Sequence, residues 1–218
     1  MQHLLANVTF PNVTVVEMFS VQDSVAGITS KTFPAVQKVR LLGTSTNLEL
    51  RDLSTLPPNL ESLYFGYFNA NITSFPVGLL ELEMMSFDSA ANFKLTKGLL
   101  PDTLRSLKLN KYKNPIEVGD LPDSLIEFSL SDNKYFPPEA VPPNLRTLRW
   151  ANMSYHGLPI RPLLNRLPSS IKFMELSTLQ GYVILVRLSE TLFLHTCQQL
   201  HLSGFITMDR IIKHFTHQ

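Results

Sequence analysis

An apolar residue followed by proline recurs along this chain, and each occurrence leads into the same apolar spacing. The pattern is apolar-Pro-x-x-Leu-x-x-Leu-x-Leu, and its clearest copies are LPPNLESLYF, LPDTLRSLKL and LPDSLIEFSL. Successive starts lie 23, 23, 19, 25, 21, 20 and 26 residues apart. A repeat of this length with one spacing predicts a solenoid, in which each unit stacks on the next. The starts are Phe10, Phe33, Leu56, Phe75, Leu100, Leu121, Val141 and Leu167.

Each unit also predicts a short strand. Its last two apolar positions are separated by one residue, which is β alternation. Such a strand is too short to be stable alone, so neighbours must pair in parallel and stack their apolar sides. Proline disfavours helix at the residue before it and therefore marks the turn before the strand. We predict eight parallel strands in right-handed succession. They should begin within two residues of Val13, Val36, Leu60, Leu79, Leu104, Leu125, Leu145 and Ile171.

These segments resemble leucine-rich repeats of the proline-led LPxxLxxLxL type, over residues 10–176. Two variants are similar. FNIP repeats are similar at FGYFNANI and NPIEVGDLPDSL, and short repeats of receptor-like proteins from microbial eukaryotes are similar at FPNVT and LPPNLESL. The resemblance implies an α/β-type leucine-rich-repeat horseshoe, mostly parallel β with little helix, in about eight repeats.

The turn after each strand departs from the resemblance. Leucine-rich repeats usually carry an asparagine there, whose amide binds loop carbonyls. This chain has Phe68, Phe87, Tyr112 and Met153 at that position, and only Asn133 supplies the amide. We therefore expect stacked aromatic side chains to hold the turn in place of an asparagine ladder.

The repeat divides the chain into three parts. Residues 10–176 form the solenoid, and residues 1–9 are the end of a preceding repeat or an N-terminal edge. Residues 177–218 contain no proline and are a C-terminal cap or a non-repeat tail. The chain is either capped there or a fragment of a longer protein.

No catalytic or cofactor motif is present. GxSxG, HExxH, GxGxxG and P-loop patterns are all missing, so neither a nucleophile nor a phosphate cradle is expected. Cys197, the single cysteine, lies near His195 without the context of a thiol enzyme and is expected to act as a small hydrophobe. His214 and His217 have a helical spacing, but no carboxylates accompany them as metal ligands. We expect no catalytic residue, cofactor or metal.

Charge and hydropathy argue against two classes of partner. The net charge is +1 and no run of five like charges exists, so no track for nucleic acid is expected. The longest apolar stretch, residues 182–186, is far shorter than the roughly 20 residues that span a bilayer.

Asn-x-Ser/Thr sequons favour an extracellular or cell-surface protein, with a cytoplasmic one as the alternative. They occur at Asn7, Asn12, Asn71 and Asn152. Asn12 lies beside a predicted strand, so the candidate glycosylation sites are Asn7, Asn71 and Asn152.

The residue between the last two apolar positions of each unit faces outward, and together these residues form what we call the central column. It mixes both charge signs around a tyrosine, which fits protein recognition better than phosphate recognition. We predict that a protein or peptide binds there, on the concave face. The alternative is the sensor part of a longer receptor-like kinase or other repeat-fused enzyme, with catalysis outside this chain. The central column is Glu17, Arg40, Tyr64, Glu83, Lys108, Ser129, Arg149 and Glu175.

Within this column, Tyr64, Glu83 and Lys108 are the predicted centre of binding. Arg40, Ser129 and Arg149 complete the predicted site, and the two arginines are expected to tune the association rate. An outward tyrosine is a good binding candidate, whereas Trp150 takes an inward position and is expected to fill the core.

Overall fold

The computed structural model describes residues 8–19, 25, 27–42, 53–66, 72–85, 93–133, 136–152, 167–178 and 199–203. These residues form a parallel-strand β-solenoid with almost no helix, because the one helical element among them is a 3₁₀ turn at Pro138–Ala140. The strands are β1 (Val15–Met18), β2 (Lys38–Leu41), β3 (Ser62–Phe65), β4 (Glu81–Met84), β5 (Ser106–Leu109), β6 (Glu127–Ser131), β7 (Thr147–Asn152), β8 (Phe173–Thr178) and β9 (Gln199–Ser203).

The strands lie in one sheet in chain order, and each neighbouring pair is parallel. Equivalent positions are paired, as Leu82 is with Leu107 and Leu107 with Phe128. The eight predicted strands all form, and each begins two residues after its predicted inward residue. The parallel, sequential arrangement predicted from the repeat is therefore confirmed.

Strand β9 is not among the eight predicted strands and lies in the segment 177–218, for which a cap was one of two alternatives. Its residues Leu200 and Leu202 pair in register with Met174 and Leu176 of β8, so the sheet extends past residue 176. Because the described residues carry nine strands, the expectation of about eight repeats is not confirmed. The spacing Cys197-x-x-Leu200-x-Leu202 matches the other repeats and could have indicated this strand, although no proline precedes it.

The inward positions build one continuous apolar core. Leu60, Leu104 and Leu125, which lie just before their strands, are fully buried. The apolar residues before the prolines are also buried from Phe33 to Leu167, whereas Phe10 is only partly buried. Trp150 is 1% exposed and therefore fills the core as predicted, and its Nε1–H donates to the carbonyl of Asn133 at 3.2 Å. Burying each leucine or phenylalanine side chain of this core contributes roughly 1.5–3 kcal/mol to the stability of the fold, before the loss of chain entropy is counted.

Two successive turns, after β5 and β6, share one backbone conformation. Lys111 and Asp132 occupy equivalent positions and both adopt the left-handed region, with φ of 62° and 63°. Ser131 Oγ accepts the N–H of Lys111 at 2.9 Å and donates to Asn110 Oδ1, which ties the second turn to the first.

Both aromatic and amide groups hold these turns, whereas stacked aromatics were expected there in place of an asparagine ladder. The Tyr112 ring meets Phe93 edge to face, with centroids 6.1 Å apart. Asn133 Nδ2 donates to the carbonyl of Asn114 at 2.8 Å, and Asn114 Nδ2 donates to the carbonyl of Phe93 at 2.7 Å. Amides from two asparagines thus cross between repeats, where the sequence reasoning assigned this role to Asn133 alone. The predicted turn residues Phe68, Phe87 and Met153 lie outside the described residues.

Candidate functional site

The central column is continuous across the sheet. Strand register places Tyr64 next to Glu83, Glu83 next to Lys108, and Lys108 next to Ser129. It also places Arg40 beside Tyr64 on β2 and β3. Adjacent strands lie about 4.8 Å apart, so these side chains form one uninterrupted surface.

Charged residues of the central column pair with one another. Lys108 Nζ lies 3.0 Å from Glu83 Oε2, and Arg40 Nη1 lies 2.7 Å from Glu17 Oε1. Arg149 Nε lies 3.4 Å from the carboxylate of Glu175 in the same manner. Exposed pairs of this kind stabilise a protein by about 0–1 kcal/mol, so a ligand can replace them at small cost. The column is therefore adaptable, but its net electrostatic attraction for a charged ligand is weak.

Tyr64 faces outward but is half-buried. The guanidinium of Arg40 lies over its ring, 5.0 Å from the centroid. Arg149 covers Phe173 in the same way, at 5.1 Å. The outward direction predicted for Tyr64 is correct, and the ring also packs across strands, so part of its apolar face is already in contact with a neighbour.

Sequence reasoning missed a second column on the same face. Strand alternation places the residue two before each central-column residue on the outer face as well. Ser62, Glu81 and Ser106 are consecutive members, and all three are at least partly exposed. The period-two rule alone could have identified them, and they widen the outer face to two side chains.

A groove runs along the edge of the sheet where the strands begin, and we call it the rim groove. Its cavity volume is about 540 Å³. Arg105 and Arg146 line it with exposed side chains, and Ile126 lies between them. The sequence analysis considered only the central-column residue of each repeat and so missed this groove. The arginine that directly follows Leu104 and Leu145 could have indicated it. The lining residues are Leu80, Asp102, Thr103, Arg105, Ser124, Ile126, Asn144, Arg146 and Ser170.

Side chains two residues after four of the prolines hold the floor of the rim groove. Ser124 Oγ donates to the carbonyl of Leu104 at 2.7 Å, one repeat earlier. Asn144 Nδ2 donates to the carbonyl of Asp123 at 2.9 Å, also one repeat earlier. These donors satisfy carbonyls that the turn leaves without a strand partner. Thr103 Oγ1 donates to the carbonyls of Val77 and Leu79, and Ser170 Oγ donates to the carbonyl of Leu145, each one repeat earlier.

On the side opposite the outer face, the loops before and after β5 share a cluster of charges. Lys94 Nζ lies 2.9 Å from Glu117 Oε1, and this hydrogen bond raises the pKa of Lys94. Asp120 Oδ2 accepts the N–H of Glu117 at 2.7 Å, closing the turn around Gly119. Burial raises the pKa of Asp120, and the bond from Glu117 acts against that rise. The bond from Glu117 to Asp120 closes a turn, and the ion pair joins two successive repeats.

Several predicted positions lie where side chains are not described. Asn7 and Asn71 are outside the described residues, as are His195, Cys197, His214 and His217, and Asn152 is the last residue of β7. Within the described ranges, no cluster of three or more His, Cys, Asp or Glu could hold a metal. No helix in those ranges is long and apolar enough to span a membrane.

Comparison with known families identifies a segment of the repeat. Residues 92–133 match the family model described as FNIP Repeat. The match contains two regular units, in which Gly98 and Lys111 have counterparts 21 residues later in Gly119 and Asp132. It includes the similar segment at residues 114–125 but not the one at residues 65–72. No curated protein and no solved structure matches the chain. The chain is therefore a repeat solenoid with a segment similar to FNIP repeats.

Proposed function

We propose that the chain is a non-catalytic interaction module, which binds a protein or peptide across the outer face of its sheet. The uninterrupted central column carries the proposal, because consecutive strands bring its residues into register. The basic side chains of this column remain accessible, with Lys108 49% exposed. Parallel strands that stack in this way create extended surfaces for binding.

The proposal includes a finer assignment of the fold. The LPxxLxxLxL spacing and the parallel ladder support a leucine-rich-repeat horseshoe, curved so that the outer face is concave, with about eight repeats. A concave face surrounds an extended ligand and increases its contact area. The sequons at Asn7, Asn71 and Asn152 support an extracellular, receptor-like and glycosylated protein.

Chemistry favours a protein ligand. The central column mixes acidic, basic, hydroxyl and aromatic groups, and interfaces between proteins have such a composition. Its charges are already paired in the free protein, so shape and aromatic contact must supply most of the affinity. Tyr64, at the middle of the predicted site, offers the largest such surface.

Affinity capture with the immobilised chain, followed by titration of variants, tests this proposal. Tyr64→Ala should weaken the captured partner by more than about 1 kcal/mol, because tyrosines at interface centres often carry that much. Glu83→Ala should weaken it as well. Arg40→Ala and Arg149→Ala should mainly alter the association rate and its salt dependence.

Val118→Ser is the matched control, because Val118 is exposed on the loop opposite the outer face. Circular dichroism should show that each variant is folded. Normal binding by both Tyr64→Ala and Glu83→Ala, with binding abolished by Val118→Ser, would show that the partner uses the opposite side.

A further inference from the structure

We propose that the rim groove is a second binding site, where Arg105 and Arg146 hold two carboxylates of an extended acidic segment from a partner protein. The inference shares one premise with the proposed function, namely that the chain is a binding protein. It concerns a separate surface. Peptide binding to the rim groove can fail while partner binding to the outer face holds, and the reverse is also possible.

The first observation is the contrast in charge pairing. The basic residues of the central column are paired with acids, whereas neither Arg105 nor Arg146 forms an ion pair with any described residue. Both side chains are exposed in the groove. Guanidinium groups bind carboxylates through two parallel hydrogen bonds, so unpaired arginines on a rigid sheet are suited to acidic ligands.

The second observation is the spacing of the two arginines. The N–H of Ile126 donates to the carbonyl of Arg105 at 2.8 Å, and the N–H of Arg146 donates to the carbonyl of Ile126 at 2.8 Å. The arginines therefore stand two strands apart, at roughly 9.6 Å for strands about 4.8 Å apart. Ile126, half-buried between them, offers an apolar surface to the aliphatic part of a ligand.

The spacing of Arg105 and Arg146 favours one backbone conformation of the ligand. A polyproline II helix has three residues per turn and rises about 3.1 Å per residue. Acidic residues at positions i and i+3 then lie on one face, about 9.3 Å apart, which matches the arginine spacing. A β-strand ligand of the same length would place those two side chains on opposite faces. The geometry thus favours a proline-rich segment with acids three residues apart.

The remaining lining groups define what the groove excludes. The hydroxyl of Ser124 and one N–H of Asn144 already donate to protein carbonyls, so the two arginines are the charged donors that remain for a ligand. Asp102 also lines the groove and repels a continuous polyanion. A nucleic acid with a phosphate at every residue is therefore disfavoured relative to a segment with two separated acids.

Fluorescence polarisation with labelled peptides tests the inference on the full chain. The probe is GPEPPEPG, with glutamates three residues apart, and it is compared with GPQPPQPG and GPEEPPPG. The first should bind at least about tenfold more tightly than either, because only it delivers charge-assisted bonds to both arginines. Equal binding of GPEEPPPG would overturn the spacing, and equal binding of GPQPPQPG would overturn the acidic ligand.

Variants locate the site. Arg105→Gln and Arg146→Gln should each weaken GPEPPEPG by about fivefold or more, and Arg105→Lys should lose part of the affinity because it cannot bind in two-pronged fashion. Lys97→Gln, an exposed lysine on the opposite loop, is the control for net charge and should leave binding unchanged.

Tyr64→Ala should also leave peptide binding unchanged, which separates this site from the central column. Unchanged binding by both arginine variants would overturn the proposal. Displacement of the peptide by oligothymidylate at lower concentration than by unlabelled peptide would also overturn it, in favour of a nucleic-acid site.

Discussion

At the scale of single residues, Tyr112 shows how a turn in this solenoid is stabilised. Its side chain is 1% exposed, and its hydroxyl accepts the backbone N–H of Leu95 at 2.9 Å. That N–H belongs to the previous repeat and is buried, so it depends on the phenol oxygen. The ring packs against Phe93 at the same time. One residue therefore links two repeats by both packing and hydrogen bonding.

We predict that Tyr112→Phe lowers the free energy of unfolding by about 1–3 kcal/mol, because the N–H of Leu95 loses its acceptor while the ring remains. Urea denaturation measures the change. Tyr64→Phe is the matched control, since Tyr64 is only half-buried, and it should change stability by less than about 0.5 kcal/mol. Equal losses in the two variants would show that the Tyr112 hydroxyl is not a structural acceptor.

The pH dependence of stability at alkaline pH should report on the same residue. Burial raises the pKa of Tyr112 from 10.0 to about 12. Because the folded pKa lies above the unfolded one, the stability from the neutral phenol is fully present below pH 10.0 and is lost as pH rises through about 12. The difference in unfolding free energy between the parent and Tyr112→Phe should therefore shrink across this window. A constant difference would contradict the assignment.

At the scale of the structural element, strand β5 separates core from surface within two adjacent residues. Leu107 is fully buried between Leu82 and Phe128, while Lys108 is 49% exposed beside Glu83. The alternation is repeated along the sheet. The strand thus has one face buried in the core and another exposed to solvent.

We predict that Leu107→Ala lowers the free energy of unfolding by roughly 2–5 kcal/mol, as expected for a buried leucine that leaves a cavity. Lys108→Ala should lower it by less than about 0.5 kcal/mol, since its ion pair is exposed. Denaturant melts of both variants measure the difference. If Lys108→Ala lowered the free energy of unfolding as much as Leu107→Ala, the assignment of Leu107 to the core and Lys108 to the surface would be wrong.

At the scale of the whole molecule, stability is distributed along one dimension. Each strand of the described sheet contacts only its neighbours in the chain. β1 pairs with β2 alone among these strands, and its Val15 is 46% exposed. β5 is covered by a strand on each side and has a buried apolar face. In such solenoids each repeat is stabilised mainly by its contacts with the adjacent repeats, so the ends can unfold without the middle.

Hydrogen exchange should report that gradient. Backbone amides of β5, such as that of Leu107, should exchange at least about tenfold more slowly than those of β1, such as that of Met18. Mass spectrometry of exchanged peptides, or amide NMR, measures the ratio. Equal protection in β1 and β5 would mean that the solenoid unfolds as one cooperative unit.

The sequence alone determined the strand positions, their inward faces and their parallel order. These features follow from burial, which a linear pattern records directly: Leu104, Leu107 and Leu109 are spaced as a strand needs, and Pro101 marks the turn before them. The pattern failed where its marker was missing, since β9 has no leading proline. It could not state how many repeats the solenoid has.

Only the tertiary structure decided which side chains meet. Lys108 pairs with Glu83, 25 residues earlier, and Arg40 with Glu17, 23 residues earlier. Intervals between repeats vary from 19 to 26 residues, so partners cannot be assigned by a fixed offset. The hydrogen-bond ladder aligns them instead, after loops of unequal length have closed. That alignment pairs the charges of the central column and leaves Arg105 and Arg146 together in the rim groove.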